Sequence, residues 1–453
     1  MGSIFGVTGH FLHNDIFYPQ YPDYWRLEKT LPKIKDLGMP VVAEGIYGLN
    51  NPTSVLVSKG STDPAVRDKM AACRQQVSDW LSLYDGAGAQ IIITPVGFHP
   101  TWTGAARDND ELSSWIAELV AAHPCVVAVQ MHNEPHLSSY GGFSSLQYVQ
   151  TFKPYADKVH AARPGVKVLG GAASSLWWPN AIAWTKGCLD LGMLDWVDGI
   201  VVHPYNEDFA PEIDPHWRGA PITDLNQREG ALRAYWAMVQ GYNFAAKPLS
   251  LWFSEFGWNT ALKTSGHVNE QQQADFLTRS YMIFMDVRLR GVPLEAACWY
   301  DLKDDGDLLK YNPPSSAENA QHRYGLMNYD MSRNKPAYAA FKAMKKFFDP
   351  IDDFEPVCLV ASVLDPLAKL KTWRKKSTGA YIVAFWNTDT VIEPCKQNLA
   401  WKLNIGLPSA SSVKQYHADK SAPGARSFAV VDGQLQISGL KYTTRASWLE
   451  IVN

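Results

Sequence analysis

Eight short, almost uninterrupted apolar runs recur along the first three-quarters of the chain, and they constrain the fold more than any other feature. They are Ile4–His10, Met39–Gly45, Gln90–Gly97, Val126–Asn133, Lys167–Ser174, Trp196–Tyr205, Leu249–Gly257 and Leu294–Leu302. Runs that are apolar on both faces suit parallel strands covered by helices, whereas a half-solvated antiparallel strand would alternate. Amphipathic stretches separate them, among them YWRLEKTLPKIKDLG, AVRDKMAACRQQVSDWLSLYDGAG and NEQQQADFLTRSYMIFMDVRLRG. Gly38, Gly88, Gly165 and Gly291 stand where helix ends favour a residue able to take positive φ. Eight strand–helix units predict an α/β fold, a (β/α)8 TIM barrel, over residues 1–350, whose last helix is KPAYAAFKAMKKFF. After Asp349-Pro350 the texture changes to short alternating segments such as AYIVAFWNT and YTTRASWLEIVN. Residues 351–453 are accordingly expected to form a small C-terminal antiparallel β-sandwich domain with a structural role.

Charge and composition narrow the partners. With a formal net charge of -3 the chain has no broad basic surface, so nucleic acid is not expected. No apolar run reaches membrane-spanning length. The 17 tryptophans exceed what a core usually needs, and indole faces are one way to hold the apolar C–H patches of sugar rings. Cys73, Cys125, Cys188, Cys298, Cys358 and Cys395 are scattered without a C-x-x-C pair and are expected as buried thiols. The opening MGSIFGVTGH enters a strand-like run at once and leaves no room for a signal peptide. Export and cytoplasmic residence both stay open, as does the oligomeric state.

In a barrel of this kind the chemistry sits at the C-terminal ends of the strands. Strand four ends in Asn133-Glu134-Pro135, and strand seven ends in Glu255 followed by Phe256-Gly257-Trp258. Two glutamates facing each other across a barrel mouth can divide the work of glycoside hydrolysis: one protonates the leaving oxygen, the other attacks the anomeric carbon. Neither tripeptide means much alone; their joint placement carries the weight. Strand six adds His203 and Tyr205, strand eight Trp299 and Tyr300, and strand three His99 and Trp102. Trp177-Trp178 follow strand five, and Trp178 and Trp258 are candidates to stack on sugars. His10, His13, His99, His132 and His203 lie near strand ends but form no H-x-H or H-E-x-x-H cluster, so hydroxyl binding by one or two of them, the others being structural, is expected rather than a metal. Asp301, Asp304, Asp305 and Asp307 miss the spacing of a calcium loop and are expected in a solvated acidic loop.

The segments HNEP, HPY, FSEFGW, CWYDLKDDG and RYGLMNYDMSRNKPAY resemble the retaining glycoside hydrolases of clan A over Ile4 to about Phe348. The last two are most similar to members near family 39, which include bacterial exopolysaccharide endoglycosidases. The resemblance implies Glu134 as general acid/base and Glu255 as nucleophile, with no cofactor and a carbohydrate as substrate. It further implies that Asn133 bonds the sugar 2-hydroxyl, Tyr205 donates to Glu255, His203 lines the same wall and Trp299 floors the sugar at the cleavage point. One departure is strand two, where many clan members carry an Arg. Here VVAEGIYG offers Glu44, either a ligand for a sugar hydroxyl or half of a salt bridge. The alternative to an enzyme is a non-catalytic carbohydrate-binding barrel of the same shape.

Overall fold

The structure, a computed structural model, describes residues 2–9, 27–46, 64–96, 106–213, 224, 226–261, 267–305, 323–362, 367–388, 401–418, 423–440 and 443–453. Eight parallel strands close into a barrel: β1 (Phe5–Gly9), β2 (Val41–Ile46), β3 (Ile91–Pro95), β4 (Val126–Gln130), β5 (Lys167–Ala173), β6 (Gly199–Val202), β7 (Ser250–Phe256) and β8 (Leu294–Trp299). Closure is made by β1, which pairs with β2 on one side (Val7 opposite Val42) and β8 on the other (Gly6 opposite Cys298). Around them lie α1 (Leu27–Asp36), α2 (Pro64–Ala87), α3 (Ala106–Ala122), α4 (Ser145–Ala162), α5 (Pro179–Asp190), α6 (Gln227–Gly241), α7 (Glu270–Leu289) and α8 (Pro336–Phe348).

The continuous apolar runs have the cause the sequence suggests: one side of each strand meets the helices and the other fills the barrel. Ala43, Ile92, Leu169, Val201, Trp252 and Cys298 form the inner cluster. The indole of Trp252 needs room, and Gly199 supplies it. A Cβ there would fall 2.8 Å from both Trp252 Nε1 and Ser250 Oγ. Of the four expected helix-end glycines, Gly38, Gly88 and Gly291 take positive φ. Gly165 does not, because α4 ends earlier on extended Arg163.

Among the described residues ten further strands follow, beginning at β9 (Phe354–Pro356), and form two antiparallel sheets. The sheet of six contains β11 (Ala368–Lys375), β12 (Tyr381–Asn387) and β18 (Ser447–Val452). Its residues alternate between two buried surfaces. Val383, Phe385, Leu449 and Ile451 face the sandwich core, whereas Trp373, Ile382, Trp386 and Trp448 join the barrel's own core. The three tryptophans therefore serve the join between barrel and sandwich.

That join is also wired with charge. Arg279 of α7 pairs with buried Glu212, which accepts the Trp386 indole N–H at 2.8 Å. Lys371 lies 2.7 Å from Glu229 and 2.9 Å from Asp286. Arg445 lies 2.9 Å from Asp275. Cys73, Cys125, Cys188 and Cys298 are buried as expected; Cys358 is exposed, contrary to expectation, and Cys395 lies outside the described residues.

Candidate active site

A cavity of about 390 Å³ opens at the C-terminal ends of the strands. Glu134, Glu255, Asn133 and Tyr205 stand in its wall. Within β7, Glu255 is the one residue that is not fully buried, so a strand otherwise committed to the core presents a single carboxylate. Glu134 reaches the same space by a different route. After β4 the chain turns out of the sheet with His132 at φ +77° and Glu134 at φ +36°. Such left-handed conformations are unfavourable for residues other than glycine, by roughly 1–3 kcal/mol each, and persist where the surroundings enforce them. Here His132 is wedged between Phe143 and Phe152, and its own Nδ1 lies 2.9 Å from the Asn133 carbonyl oxygen. His132 is thus one of the structural histidines of the five near strand ends, buried and packed between rings.

His203, expected in the cavity wall, is instead fully buried behind it and joins the two glutamates. Its Nδ1 donates to Glu134 Oε1 at 2.9 Å and lies 3.8 Å from Glu255 Oε2. Those two carboxylate oxygens are therefore at most about 6.7 Å apart, the sum of the two distances, and closer unless the three atoms are collinear. The other ring nitrogen meets Ser254 Oγ at 2.8 Å, so the imidazole is fixed at both ends. Burial alone would pull its pKa down; the charges of Glu255 and Glu134 and the Glu134 hydrogen bond outweigh that and raise it. The positive charge not provided by an arginine on β2 can thus reside on His203.

Tyr205 donates to Glu255 Oε2 at 3.0 Å. Burial, with the Glu255 charge added to it, raises the phenol well above its usual range, so it stays a donor. Tyr300 and Tyr324 pack edge-on to Tyr205, with ring centroids 6.3 and 5.9 Å away, and both line the cavity.

Several sequence expectations need correcting. Trp299 is fully buried: it packs on Phe256, stacks on Trp258 with centroids 6.0 Å apart, and donates to the Tyr324 carbonyl at 3.2 Å. The aromatic ring that lines the cavity from this strand end is its neighbour Tyr300. Trp258 is equally buried, donating to the Phe209 carbonyl at 2.9 Å, and is absent from the cavity wall. Glu44 lies outside that wall too. It accepts the Tyr84 hydroxyl at 2.5 Å and shares a small void with Thr8, Ser254 and Glu255. The described part of the acidic loop is not solvated. Asp301, Asp304 and Asp305 are buried, and Asp304 is held 2.6 Å from Lys335, which arrives from the start of α8. Among the described residues no group of three or more His, Cys, Asp or Glu is arranged to hold a metal ion. His10, His13, His99, Trp102 and Asp307 lie outside the described residues.

Trp178 does line the cavity, with 44% of its surface exposed, while Trp177 is buried. Both backbone N–H groups bond Ser175 Oγ, which fixes the turn into α5. The wall also contains residues the sequence reading did not select: Leu137, Tyr140, Ser174, Ser175, Glu207 and Tyr324. Tyr324 was within a quoted segment, RYGLM; the loop residues carried no periodic signal.

Comparison with known proteins bears on the fold. No protein-family model matches the sequence, and no curated protein matches it. Solved structures do. A family 39 glycoside hydrolase from the gut symbiont Bacteroides cellulosilyticus WH2 matches with a TM-score of 0.65 at 18% identity, over 98% of this chain and 80% of that one. AbfB, a family 51 α-L-arabinofuranosidase from Bifidobacterium longum, gives 0.62 at 14% identity, over 99% and 96% of the two chains. The catalytic domain of GH30 xylanase C from Talaromyces cellulolyticus gives 0.52 at 13% identity, over 99% and 96%. At these identities the likeness is one of architecture: the chain folds, barrel and β-sandwich together, as these clan A glycoside hydrolases do.

Proposed function

We propose that the protein is a retaining glycosidase that cleaves β-glycosidic bonds of an oligo- or polysaccharide by double displacement. The observation that carries this reading is the single imidazole reaching both Glu134 and Glu255, which keeps their facing oxygens within about 6.7 Å. Retaining enzymes hold their carboxyl pair about 5–5.5 Å apart, whereas inverting ones need roughly 6.5–9.5 Å to admit a water. Any bend at Nδ1 shortens the separation from that limit toward the retaining range.

In this mechanism Glu134 accepts from His203 through Oε1, and its other oxygen carries the acid proton. That proton passes to the glycosidic oxygen as the C1–O bond breaks. Glu255, held through Oε2 by Tyr205, attacks C1 with Oε1 and forms a glycosyl-enzyme ester. Glu134, now a carboxylate, takes a proton from water, whose oxygen attacks C1 and releases Glu255. Trp178, exposed on the cavity wall, offers a stacking face to a sugar beside the cleaved bond.

The test is a panel of aryl β-glycosides and polysaccharides, with the first-formed product anomer followed by NMR. A β-anomer supports retention, and an α-anomer overturns it. Glycan binding without turnover on any substrate would favour the non-catalytic barrel.

A further inference from the structure

The cavity has two sides, set by strand order. Tyr205, Tyr300 and Tyr324 gather beside Glu255, whereas β5, the strand paired with β4, delivers Ser174 and Trp178 to the wall beside Glu134. An acid stands next to the oxygen it protonates, and that oxygen departs with the leaving group. The wall at the end of β5 is therefore where the leaving group rests.

Ser174 is fastened on this wall by a side chain that the chemistry above does not use. His136 Nε2 lies 3.0 Å from Ser174 Oγ, and the imidazole packs on the buried Trp184 indole with ring centroids 5.4 Å apart. His136 Nδ1 is buried and meets no hydrogen-bond partner among the described residues. Burial lowers the His136 pKa, with the His203 charge acting the same way and the Glu134 charge opposing, so the ring is neutral and carries one N–H. A buried N–H without an acceptor is unfavourable by roughly 1–3 kcal/mol, which puts the proton on Nε2, facing Ser174. Ser174 Oγ thus accepts from His136. Its own O–H has no other partner among the described residues and is left for the cavity that Ser174 lines.

We propose that Ser174 donates a hydrogen bond to an oxygen of a leaving-group sugar that stacks on Trp178, and that His136 is the positioning residue that fixes the direction of this donation. The proposal rests on the glycosidase reading and deepens it: the bond cleaved joins two sugars rather than a sugar and an apolar aglycone. A serine hydroxyl alone could turn toward any acceptor. With Nε2–H bound to its oxygen it is aimed before the substrate arrives, so less freedom is lost on binding.

The experiment uses the full chain and two substrates that place the same sugar on the nucleophile side. One is the glycan turned over fastest among cellohexaose, xylohexaose, mannohexaose and laminarihexaose. The other is the 2,4-dinitrophenyl β-glycoside of its mono-, di- or trisaccharide, which has no sugar in its leaving group. The ratio of kcat/KM on the glycan to kcat/KM on the aryl glycoside is compared between variant and wild type, so that any shift of Glu134 itself cancels. Ser174→Ala is expected to lower this ratio about 3- to 10-fold, the effect of one hydrogen bond. His136→Leu should lower it too, yet add nothing further in the Ser174→Ala background, because it acts through the serine. An unchanged ratio in either single variant, or a further fall in the double variant, would overturn the proposal, as would turnover of aryl glycosides but of no glycan. If no substrate of either kind is turned over, it is the glycosidase reading that fails.

Discussion

Replacing Trp386 by alanine strikes the join between the β-sandwich and the barrel. The side chain is fully buried on the barrel side of its sheet, and its indole N–H reaches Glu212, which pairs with Arg279 of α7. Truncating a buried tryptophan destabilises by about 3–5 kcal/mol. Taking a donor from a buried carboxylate adds roughly 1–3 kcal/mol, although Arg279 still holds Glu212. Together they approach the whole stability of a typical domain, about 5–15 kcal/mol. Trp386→Phe, which keeps most of the ring volume and loses only the N–H, should show the smaller part. The readout is urea unfolding followed by circular dichroism at 222 nm. All eight described α-helices surround the barrel, so this signal reports the barrel although the mutation lies in the sandwich. The helical transition should move to lower urea in the alanine variant and less in the phenylalanine variant. If the helices melt at the wild-type midpoint while only the C-terminal strands become protease-sensitive, the sandwich is an independent module and the reasoning is refuted.

Glu134→Ala should slow natural glycans by several orders of magnitude but slow dinitrophenyl glycosides far less in the bond-breaking step, since a good leaving group needs no acid; equal losses in steady-state and pre-steady-state rates would count against that role. Tyr205→Phe removes a donor 3.0 Å from Glu255 and should lower kcat/KM by roughly 10- to 100-fold, the range for a hydrogen bond to a charged group, with unchanged thermal stability at the domain level as the control. The raised pKa of His203 has a pH signature. Because its folded value lies above the unfolded one near 6.5, its stabilisation is complete below about pH 6.5 and is lost as pH rises through the folded value. The gap in melting temperature between wild type and His203→Asn should narrow from pH 6 to pH 9, and a constant or widening gap would contradict the assignment.

The strands could be read from the chain because burial on both faces leaves an unbroken apolar signature; even so, the run from Trp196 to Tyr205 contains only four residues of strand, Gly199–Val202. The two glutamates stood out only as a pair, each ending such a run, and the barrel brings both to one cavity. What could not be read is which of two adjacent side chains at a strand end faces inward. Trp299 and Tyr300 differ by one position, and that position decides whether a ring stacks on Trp258 or lines the cavity. Long-range partners were equally hidden. The aspartates after β8 look solvated until Lys335 is brought to Asp304 from 31 residues downstream. Tyr140 belongs to a loop whose shape depends on Gly141 and the Phe143 ring, and no spacing pattern announces it.

Reaction with a 2,4-dinitrophenyl 2-deoxy-2-fluoro-β-glycoside, followed by intact-mass measurement and peptide mapping, interrogates the pairing of Glu134 and Glu255 most directly. The account predicts one sugar per chain, attached as an ester to Glu255, and no attachment in Glu255→Gln. A label on any other residue, or inactivation that survives in that variant, would contradict it.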